Sequence, residues 1–248
     1  MNTLKQTLRS LLHAKGFTSV VVLTLAIAIG ANSAIFSVLS AVVLRPLPYD
    51  DPDELVMVWE SNESQGLAQE PTSSATFVDW REGTSAFESM AAYRYRGFTL
   101  TFDDVPTRIA SALVTPSLFQ VLGVEPLAGR AFTEAEGRPG NERLAILSHR
   151  SWQNRFGSDP DLIGQTIPLD GEPYTVVGVM PGDFTFPIGD TEAEVWSPLT
   201  MSLEDLPSRP HRSYSTIGRL ADGVSLERAR TDMESVAGRI AQDFPDSN

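Results

Sequence analysis

The sequence predicts an α+β protein that follows a single N-terminal transmembrane helix. Residues 17–44 form an unbroken run of 28 uncharged, mostly apolar or small residues, and a bilayer core takes about 20 such residues as a helix. Farther along, two apolar stretches flank Asp170–Gly171, a pair typical of a tight hairpin turn. A strand-like stretch at 214–220 then precedes an amphipathic pattern over 226–244. Both strands and helices are therefore predicted after the membrane span.

The run at 17–44 fits a membrane better than a soluble core. Its few polar residues are scattered around the helix, whereas a surface helix confines them to one face. Residues 1–49 carry four basic residues and no acidic one, and since the net charge of the chain is −13, the remainder carries −17. Three of the four basic residues precede the run, and such charges stay in the cytoplasm. We therefore expect a cytoplasmic N-terminus and an extracytoplasmic domain over residues 45–248.

Residues 1–16 form a leader that bears on whether the span is retained or cleaved. A basic start, an apolar stretch and the small residues at 31–34 are also features of a signal peptide. The apolar run, however, continues to Leu44, about twice the length of an ordinary signal-peptide core. In addition, four leucines of the leader lie on one helical stripe, as in an amphipathic helix at a membrane surface: Leu4, Leu8, Leu11 and Leu12. These features favour a retained single-pass anchor in the inner (plasma) membrane, with a cytoplasmic amphipathic leader.

One face of the predicted span is a candidate for helix packing. Ala26, Gly30 and Ala34 recur at four-residue spacing, which lets a second helix approach closely. Asn32 near the middle of the span is costly if it faces lipid, and it can instead hydrogen-bond to a neighbouring helix. Small residues are also simply common in membrane helices, so the spacing alone leaves both interpretations open.

The first part of the extracytoplasmic region predicts a strand and then a helix. Prolines at positions 46, 48 and 52 end the span in an extended connection. The apolar stretch 55–60 predicts a short buried strand. Residues 76–94 predict a helix, with Gly83 as an interruption and four apolar anchors: Phe77, Trp80, Phe87 and Met90.

The remaining elements alternate strands with short helices. A hairpin is predicted around Asp103–Asp104, followed by a brief helix that Thr115 caps and Gly123 ends. A strand over 144–147 precedes a helix capped by Ser148, and the final helix begins at the N-cap Ser225. Strand–helix units at both ends of a β-rich middle suggest one α+β subdomain interrupted by another.

The residues offer little for catalysis, metals or nucleic acid. The chain has no cysteine and three histidines, and it contains neither a G-x-S-x-G nor an H-E-x-x-H motif. Ser148–His149 is better explained as a helix cap than as a catalytic pair, and the acidic stretches 50–54 and 159–161 lack the spacing of a calcium loop. An acidic exterior does not suit nucleic acid. No phosphate-binding G-x-x-x-x-G-K-[ST] is present, so we expect no cofactor, no metal and no ATP hydrolysis by this chain itself.

A series of motifs in one order resembles a known family. The series includes "LRPLPYDDPDELVMVWE", "VTPSLFQVLGVEPLAGRAF", "LSHRSWQNRFGSDPDLIGQTIPLDGEPYTVVGVMP" and "LADGVSLERARTDMESVAGRI". Together they resemble MacB-type, FtsX-like ABC transporter permeases that lack a fused ATPase. The most specific parts are the turn Gly129–Arg130 with Phe132 and the hairpin "LDGEPYTVVGVMP". The resemblance covers nearly the whole chain.

The resemblance implies a MacB-like periplasmic core domain with two subdomains. A mixed, porter-like subdomain would comprise residues about 50–100 and 205–248, and a β-rich, sabre-like insertion would comprise about 105–204. Such permeases transmit the ATP-driven movement of a separate cytoplasmic ABC ATPase to the outer domain. They carry three further membrane helices after this domain, so we expect a truncated gene, a fragment of a larger reading frame or a stand-alone anchored form. Transport by these 248 residues would then need assembly with other permease chains.

Two other functions remain open from the residues alone. An anchored extracytoplasmic domain of this size could bind a ligand or a protein without any coupling to ATP. An anchored hydrolase would need His149 or His211, the histidines of the extracytoplasmic region. The motif search favours the permease-type subunit over the binding module, and both over the hydrolase.

Overall fold

We describe the protein from a computed structural model, which describes residues 15–43, 48–62, 67–102, 105–187, 192–201, 209 and 211–245. The chain forms two compact units, Met1–Leu47 and Pro48–Asn248. Residues 1–14 of the predicted leader lie outside the described residues. The second unit begins within the connection that the prolines predict.

The first unit contains helix α1, Lys15–Val43, of 29 residues. Large apolar side chains along it are exposed, among them Leu23 and Phe36. Within the part of the chain that the structure describes, no helix is both long and apolar enough to cross a membrane. The span predicted over residues 17–44 therefore stays a prediction.

The second unit is built around a large mixed sheet. Its helices are α2 (Ser74–Gly83), α3 (Leu118–Leu122), α4 (His149–Phe156) and α5 (Leu226–Asp243). Its strands are β1 (Leu55–Val58), β2 (Glu60–Asn62), β3 (Leu67–Glu70), β4 (Phe87–Phe102), β5 (Val105–Val114), β6 (Ala128–Gly129), β7 (Leu144–Leu147), β8 (Thr166–Leu169), β9 (Glu172–Val179), β10 (Val195–Pro198) and β11 (Ser215–Leu220). Nine of these strands form one sheet in the order β1-β11-β4-β5-β10-β7-β9-β6, with β8 pairing with β4 and β9. Strands β2 and β3 form a separate two-stranded sheet.

The large sheet separates two apolar cores. Successive residues of a strand point to opposite faces, and in β4 Ala92 packs into one core while Ala91 and Tyr93 pack into the other. The first core includes Trp80 of α2 with Val236 and Ile240 of α5, whereas Ala229 of α5 belongs to a smaller third cluster. The second includes α3 and the fully buried Trp196 of β10. Both faces of the sheet are thus covered, as the mixed α/β composition requires.

The helix predicted over residues 76–94 is wrong in its second half. Helix α2 ends at Gly83, and a 16-residue strand, β4, begins at Phe87. Apolar residues occupy both odd and even positions of this stretch, which a helical pattern and a strand buried on both faces share. The stretch forms a strand because β4 hydrogen-bonds to both β11 and β5.

Two smaller predictions also need correction. The apolar run of β1 predicts a buried strand, but β1 lies at one end of the sheet, and Met57 is 39% exposed. The sequence predicts Thr115 as the cap of the brief helix, but the N-cap of α3 is Ser117. The Thr115 hydroxyl instead accepts the N–H of Ala92 at 3.0 Å and so joins β4 to the loop before α3.

Most of the remaining local predictions are confirmed. β4 and β5 form a hairpin up to the pair Phe102–Val105, and its predicted turn at 103–104 lies outside the described residues. Asp170 and Gly171 join β8 to β9 with φ of 51° and 82°, the left-handed conformation that a two-residue hairpin turn demands. The hydroxyls of Ser148 and Ser225 cap α4 and α5 as expected.

The division into subdomains stays a prediction. Strands β1, β4 and β11 come from the predicted porter-like segments, about 50–100 and 205–248. Strands β5 to β10 come from the predicted insertion, about 105–204. All of these strands belong to the same sheet, and only β2 and β3, from the first porter-like segment, form a separate one among the described residues.

The two motifs that most strongly carry the family resemblance lie against each other. Strand β6 pairs with β9, so that Gly129 stands opposite Gly178. A Cβ atom at Gly178 would lie 2.6 Å from the carbonyl oxygen of Arg130, and one at Gly129 would overlap the carbonyl oxygen of Val177. Both positions therefore require glycine, because any side chain would push the two backbones apart.

Gly178→Ala should lower the free energy of unfolding by about 1–3 kcal/mol, since the added methyl has no space beside the Arg130 carbonyl. Gly182→Ala is the matched control, because its Cβ would make only an ordinary 3.7 Å contact with the His149 ring. The control should stay within about 0.5 kcal/mol of the wild type. Denaturant unfolding of the full chain in detergent measures both, and equal stabilities of the two variants would contradict the close approach.

Candidate functional site

Arg219, in strand β11, is a buried charged residue that makes several hydrogen bonds. Its side chain is 8% exposed, although arginine is almost never this buried without partners. Its Nε donates to the carbonyl oxygen of Val121 at 2.9 Å, and its Nη2 donates to that of Asp50 at 2.6 Å. Its Nη1 lies 3.1 Å from a carboxylate oxygen of Glu54 and 3.4 Å from the carbonyl oxygen of Asp51. We call Arg219 with these four partners the Arg219 clamp.

The Arg219 clamp joins three separate parts of the fold. Arg219 belongs to β11, the second strand of the sheet, and Val121 belongs to α3. The other three partners lie in or beside the short connection 50–54 that leads into β1. A guanidinium is suited to this role because its five N–H donors point outward in a fixed plane. One side chain therefore holds the N-terminal connection, the sheet and a helix together.

A second set of contacts fixes the start of the same connection. Tyr49 is buried, and its hydroxyl donates to the carbonyl oxygen of Thr185 at 2.6 Å. Burial, and to a smaller extent the neighbouring Tyr93, raises the pKa of Tyr49 well above its usual range, so the hydroxyl stays protonated as a donor. The backbone N–H of Asp50 donates to the carbonyl oxygen of Leu122 at 3.1 Å.

Gly123 makes this close approach possible. It ends α3 with a φ of 66°, a conformation that favours glycine. A Cβ atom at this position would overlap the Cβ of Asp50. The glycine that the sequence predicts as a helix stop therefore also lets the N-terminal connection lie against the end of α3.

The C-terminal helix is fixed to the domain by polar contacts of its own. Asp232 of α5 accepts hydrogen bonds from the Thr84 hydroxyl at 2.6 Å and the Ser85 N–H at 3.0 Å. These bonds, the Thr84 hydroxyl first, lower the pKa of Asp232. Near the end of α5, the guanidinium of Arg209 lies 3.6 Å from the centre of the Phe244 ring and 2.7 Å from Asp79. The helix that follows β11 is thus held at both its middle and its end.

The predicted helix-packing residues lie on α1, in the first unit. Ala26, Gly30, Asn32 and Ala34 are all exposed there, and a Cβ atom at Gly30 would meet no atom within 4 Å. A face of this kind is open to another helix, and its use for packing stays a prediction.

The candidate catalytic residues Ser148 and His149 make contacts that stabilise the fold. The Ser148 hydroxyl accepts the N–H of Ser151 at 3.1 Å, as a helix cap does, and the ring of His149 packs against Trp152 at 5.7 Å. His211 lies outside the helices and strands, in the segment before β11. Within the residues that the structure describes, no group of three or more metal-ligating side chains occurs.

Sequence reasoning missed the Arg219 clamp. The one available signal was an arginine inside the apolar strand "STIGRL", at a position where a charge needs a buried partner. The partners are mostly backbone carbonyls, which carry no residue-specific signal. Their positions become known only when the connection, α3 and β11 are placed together.

The fold and the clamp define a class of protein: a mixed α/β domain whose N-terminal connection is fixed to its own sheet. The particular family is established by comparison. A family model described as the MacB-like periplasmic core domain matches residues 18–236. The chain belongs to this family, and its domain is an extracytoplasmic one.

Curated relatives support the assignment over part of the chain. The macrolide export ATP-binding/permease protein MacB of Burkholderia thailandensis is 28% identical over 129 residues, which are 52% of this chain and 19% of that protein. The protein of the same name from Neisseria meningitidis serogroup A is 24% identical over 140 residues, 55% of this chain and 21% of that protein. The matched region spans about a fifth of the length of these relatives.

Solved structures share the fold at low identity. A domain of a putative permease from Porphyromonas gingivalis has a TM-score of 0.59 at 18% identity and covers 82% of this chain and 88% of its own. The extracellular domain of the noncanonic ABC-type transporter YknZ from Gram-positive bacteria has a TM-score of 0.54 at 16% identity, covering 77% and 95%. The periplasmic region of MacB from Actinobacillus actinomycetemcomitans has a TM-score of 0.53 at 14% identity, covering 78% and 86%.

Arg219→Met should lower the free energy of unfolding by about 3 kcal/mol, because it leaves the buried carbonyl of Val121 and the half-buried carbonyls of Asp50 and Asp51 without a charged donor. Arg219→Lys keeps the charge but not the planar fork, so it should restore only part of this loss. Glu54→Gln is the control and should cost less than about 1 kcal/mol, because the Glu54 side chain is 41% exposed. Denaturant unfolding of the full chain measures all three. An Arg219→Met variant as stable as Glu54→Gln would show that the clamp holds nothing.

Proposed function

We propose that this chain is a membrane-anchored, permease-type subunit of an ABC transporter or mechanotransmission complex. In this proposal a separate cytoplasmic ATPase drives movement of the membrane helices, and the extracytoplasmic domain receives that movement through the connection at 48–54. The observation that carries the proposal is the Arg219 clamp. The family membership supports the transporter context.

The clamp suits the transmission of movement because it removes slack where the chain enters the domain. A displacement of the segment 50–54 acts directly on Arg219, and through it on β11 and α3. Strand β11 also pairs with β1 and β4, and it leads into α5 within the chain. Loose connections absorb movement, whereas a fixed one passes it to the sheet.

The anchor in this proposal is the uncharged segment 17–44, with the N-terminus in the cytoplasm. The basic residues before the segment and the acidic domain after it favour this orientation. The anchor would therefore cross the membrane once before the main domain, with a cytoplasmic leader over residues 1–16 and the main domain on the periplasmic side.

The proposed partners are other permease chains and a separate ABC ATPase subunit. The curated relatives are named as ATP-binding/permease proteins, whereas these 248 residues contain no phosphate-binding G-x-x-x-x-G-K-[ST]. We expect the other permease helices to pack on the face formed by Ala26, Gly30 and Ala34. Asn32 lies about 200° around the helix from Gly30, so its amide would hydrogen-bond to a different neighbouring helix, a contact that does not need small residues.

Gly30→Leu should block this assembly, because a large side chain prevents close approach of a second helix. Ala28→Leu is the matched control, since residue 28 lies two positions away and faces the opposite side of the helix. Tagged full-length chains are isolated from membranes of the source organism after crosslinking, and co-isolated permease and ABC ATPase peptides are measured by mass spectrometry. Wild type and Ala28→Leu should retain both partners, and Gly30→Leu should lose at least about nine-tenths of them.

Two results would count against this function. If the wild-type chain retains no ABC ATPase, the proposed coupling is wrong and a stand-alone binding module becomes the better account. If Gly30→Leu and Ala28→Leu retain the ATPase equally, the coupling survives but the helix-packing face is assigned wrongly.

A further inference from the structure

The sheet has an open edge at β1. Strand β1 pairs with β11 on one side, and on its other side it pairs with no strand among the described residues. The N–H of Leu55 donates to the carbonyl oxygen of Pro52 and so is not used in the ladder with β11. Because hydrogen-bonding direction alternates along an antiparallel strand, the backbone N–H and C=O of Met57 point to the open edge.

A cleft of about 770 Å³ lies beside this edge, between β1 and helix α5. Val56, Val58 and Trp59 line its strand side, and Trp59 is 37% exposed. Small residues line much of its helix side: Ala237, Gly238 and Ala241. A Cβ atom at Gly238 would meet nothing within 4 Å, so the space above the helix is free in the described part of the chain.

The shape of this site suits an added β-strand. A strand that pairs with β1 would lie about 4.8 Å beyond it. Such a strand would extend the sheet along the cleft side of α5. Apolar side chains at alternate positions of the added strand could then enter the cleft, because successive side chains of a strand point to opposite faces. Backbone hydrogen bonds to an open edge supply affinity, and pockets for alternate side chains supply selectivity.

Charge selects the kind of segment. Within the cleft the charges balance, since Glu60 is ion-paired with Arg212, and Arg230 is followed one turn later by Glu234. The exposed Asp51 and Asp53 lie directly before β1, and residues 50–248 carry a net charge of −17. A segment with lysine or arginine on its solvent side is therefore attracted, whereas a second copy of this acidic domain is repelled.

We propose that the edge of β1 and the adjoining cleft bind an extended segment of a partner protein as an added strand, with apolar residues facing the cleft and basic residues facing solvent. This binding is independent of the proposed coupling to an ATPase. It assigns a function to Met57 and Trp59, large apolar residues that remain 39% and 37% exposed in the folded domain.

A random peptide library tests this proposal, because it samples every combination of apolar, basic and acidic residues. A phage-displayed library of twelve-residue peptides is panned on the full chain in neutral lipid nanodiscs, with empty nanodiscs as the counter-selection. Enriched sequences should alternate apolar with basic residues. The dissociation constant of the most enriched peptide, made synthetically with a fluorophore, is then measured by fluorescence anisotropy.

Met57→Pro should weaken this peptide at least about tenfold, because it removes the N–H at the open edge and leaves the β11 ladder intact. Met57→Val is the matched control, since it changes the side chain but keeps the N–H, and its affinity should stay within about threefold of the wild type. Gly238→Trp provides a second test that does not touch the sheet: it should weaken the peptide similarly by filling the cleft, whereas Gly238→Ala should not.

Three results would overturn the proposal. The first is the absence of any enriched sequence, or the enrichment of acidic or proline-rich ones. The second is equal affinity of the peptide for Met57→Pro and Met57→Val, together with equal affinity for Gly238→Trp and Gly238→Ala. The third is concentration-dependent self-association of the wild type that Met57→Pro abolishes, because the occupant would then be a second copy of this chain.

Discussion

One buried guanidinium, that of Arg219, holds three separate parts of the fold together. Arg219 takes the place of several separate interactions, because it satisfies backbone carbonyls from α3 and from the connection before β1 while it pairs with Glu54. Without it, these carbonyls and the strand that carries it would have no common partner. The buried Tyr49 hydroxyl and the close approach of Asp50 to Gly123 are consistent with this arrangement, since each needs the connection in the same place. The connection at 48–54 is therefore an integral part of the folded domain.

Local chemistry predicts the short-range features well and the long-range ones poorly. The Asp170–Gly171 hairpin and the serine caps of α4 and α5 follow from residues that act within a few positions of one another. The strand that begins at Phe87 looks helical in the sequence, because its apolar residues serve two cores and show no period of two. Strand β1 looks buried in the sequence because its residues are apolar. That composition does not show that the strand lies at the end of the sheet. The Arg219 clamp escapes prediction because carbonyl oxygens of distant segments leave no trace in the sequence.

The family membership gives a context for these features without determining them. The two most specific of the motifs that carry the resemblance meet at Gly129 and Gly178, at the opposite end of the sheet from β1, so they determine the strand pairing at that end. The clamp and the open edge lie at the other end, where the chain enters the domain. In the proposed mechanism, the domain receives movement at 48–54, and the open strand β1 beside α5 follows that segment directly in the chain. The proposed input and the proposed binding surface therefore lie on neighbouring elements. A bound partner strand would then add directly to the part of the sheet that the clamp controls.

We propose that Arg219 makes the connection and the domain move as one body, and a distance measurement between them tests this directly. The chain has no cysteine, so spin labels can be placed at Asp53→Cys and Glu227→Cys, two exposed positions, in the full chain in nanodiscs. Pulsed electron paramagnetic resonance should give one narrow distance distribution with Arg219 present and a broad one in Arg219→Met that retains its near-ultraviolet circular dichroism. A distribution that is already broad with Arg219 present, or one that Arg219→Met leaves unchanged, would contradict the account.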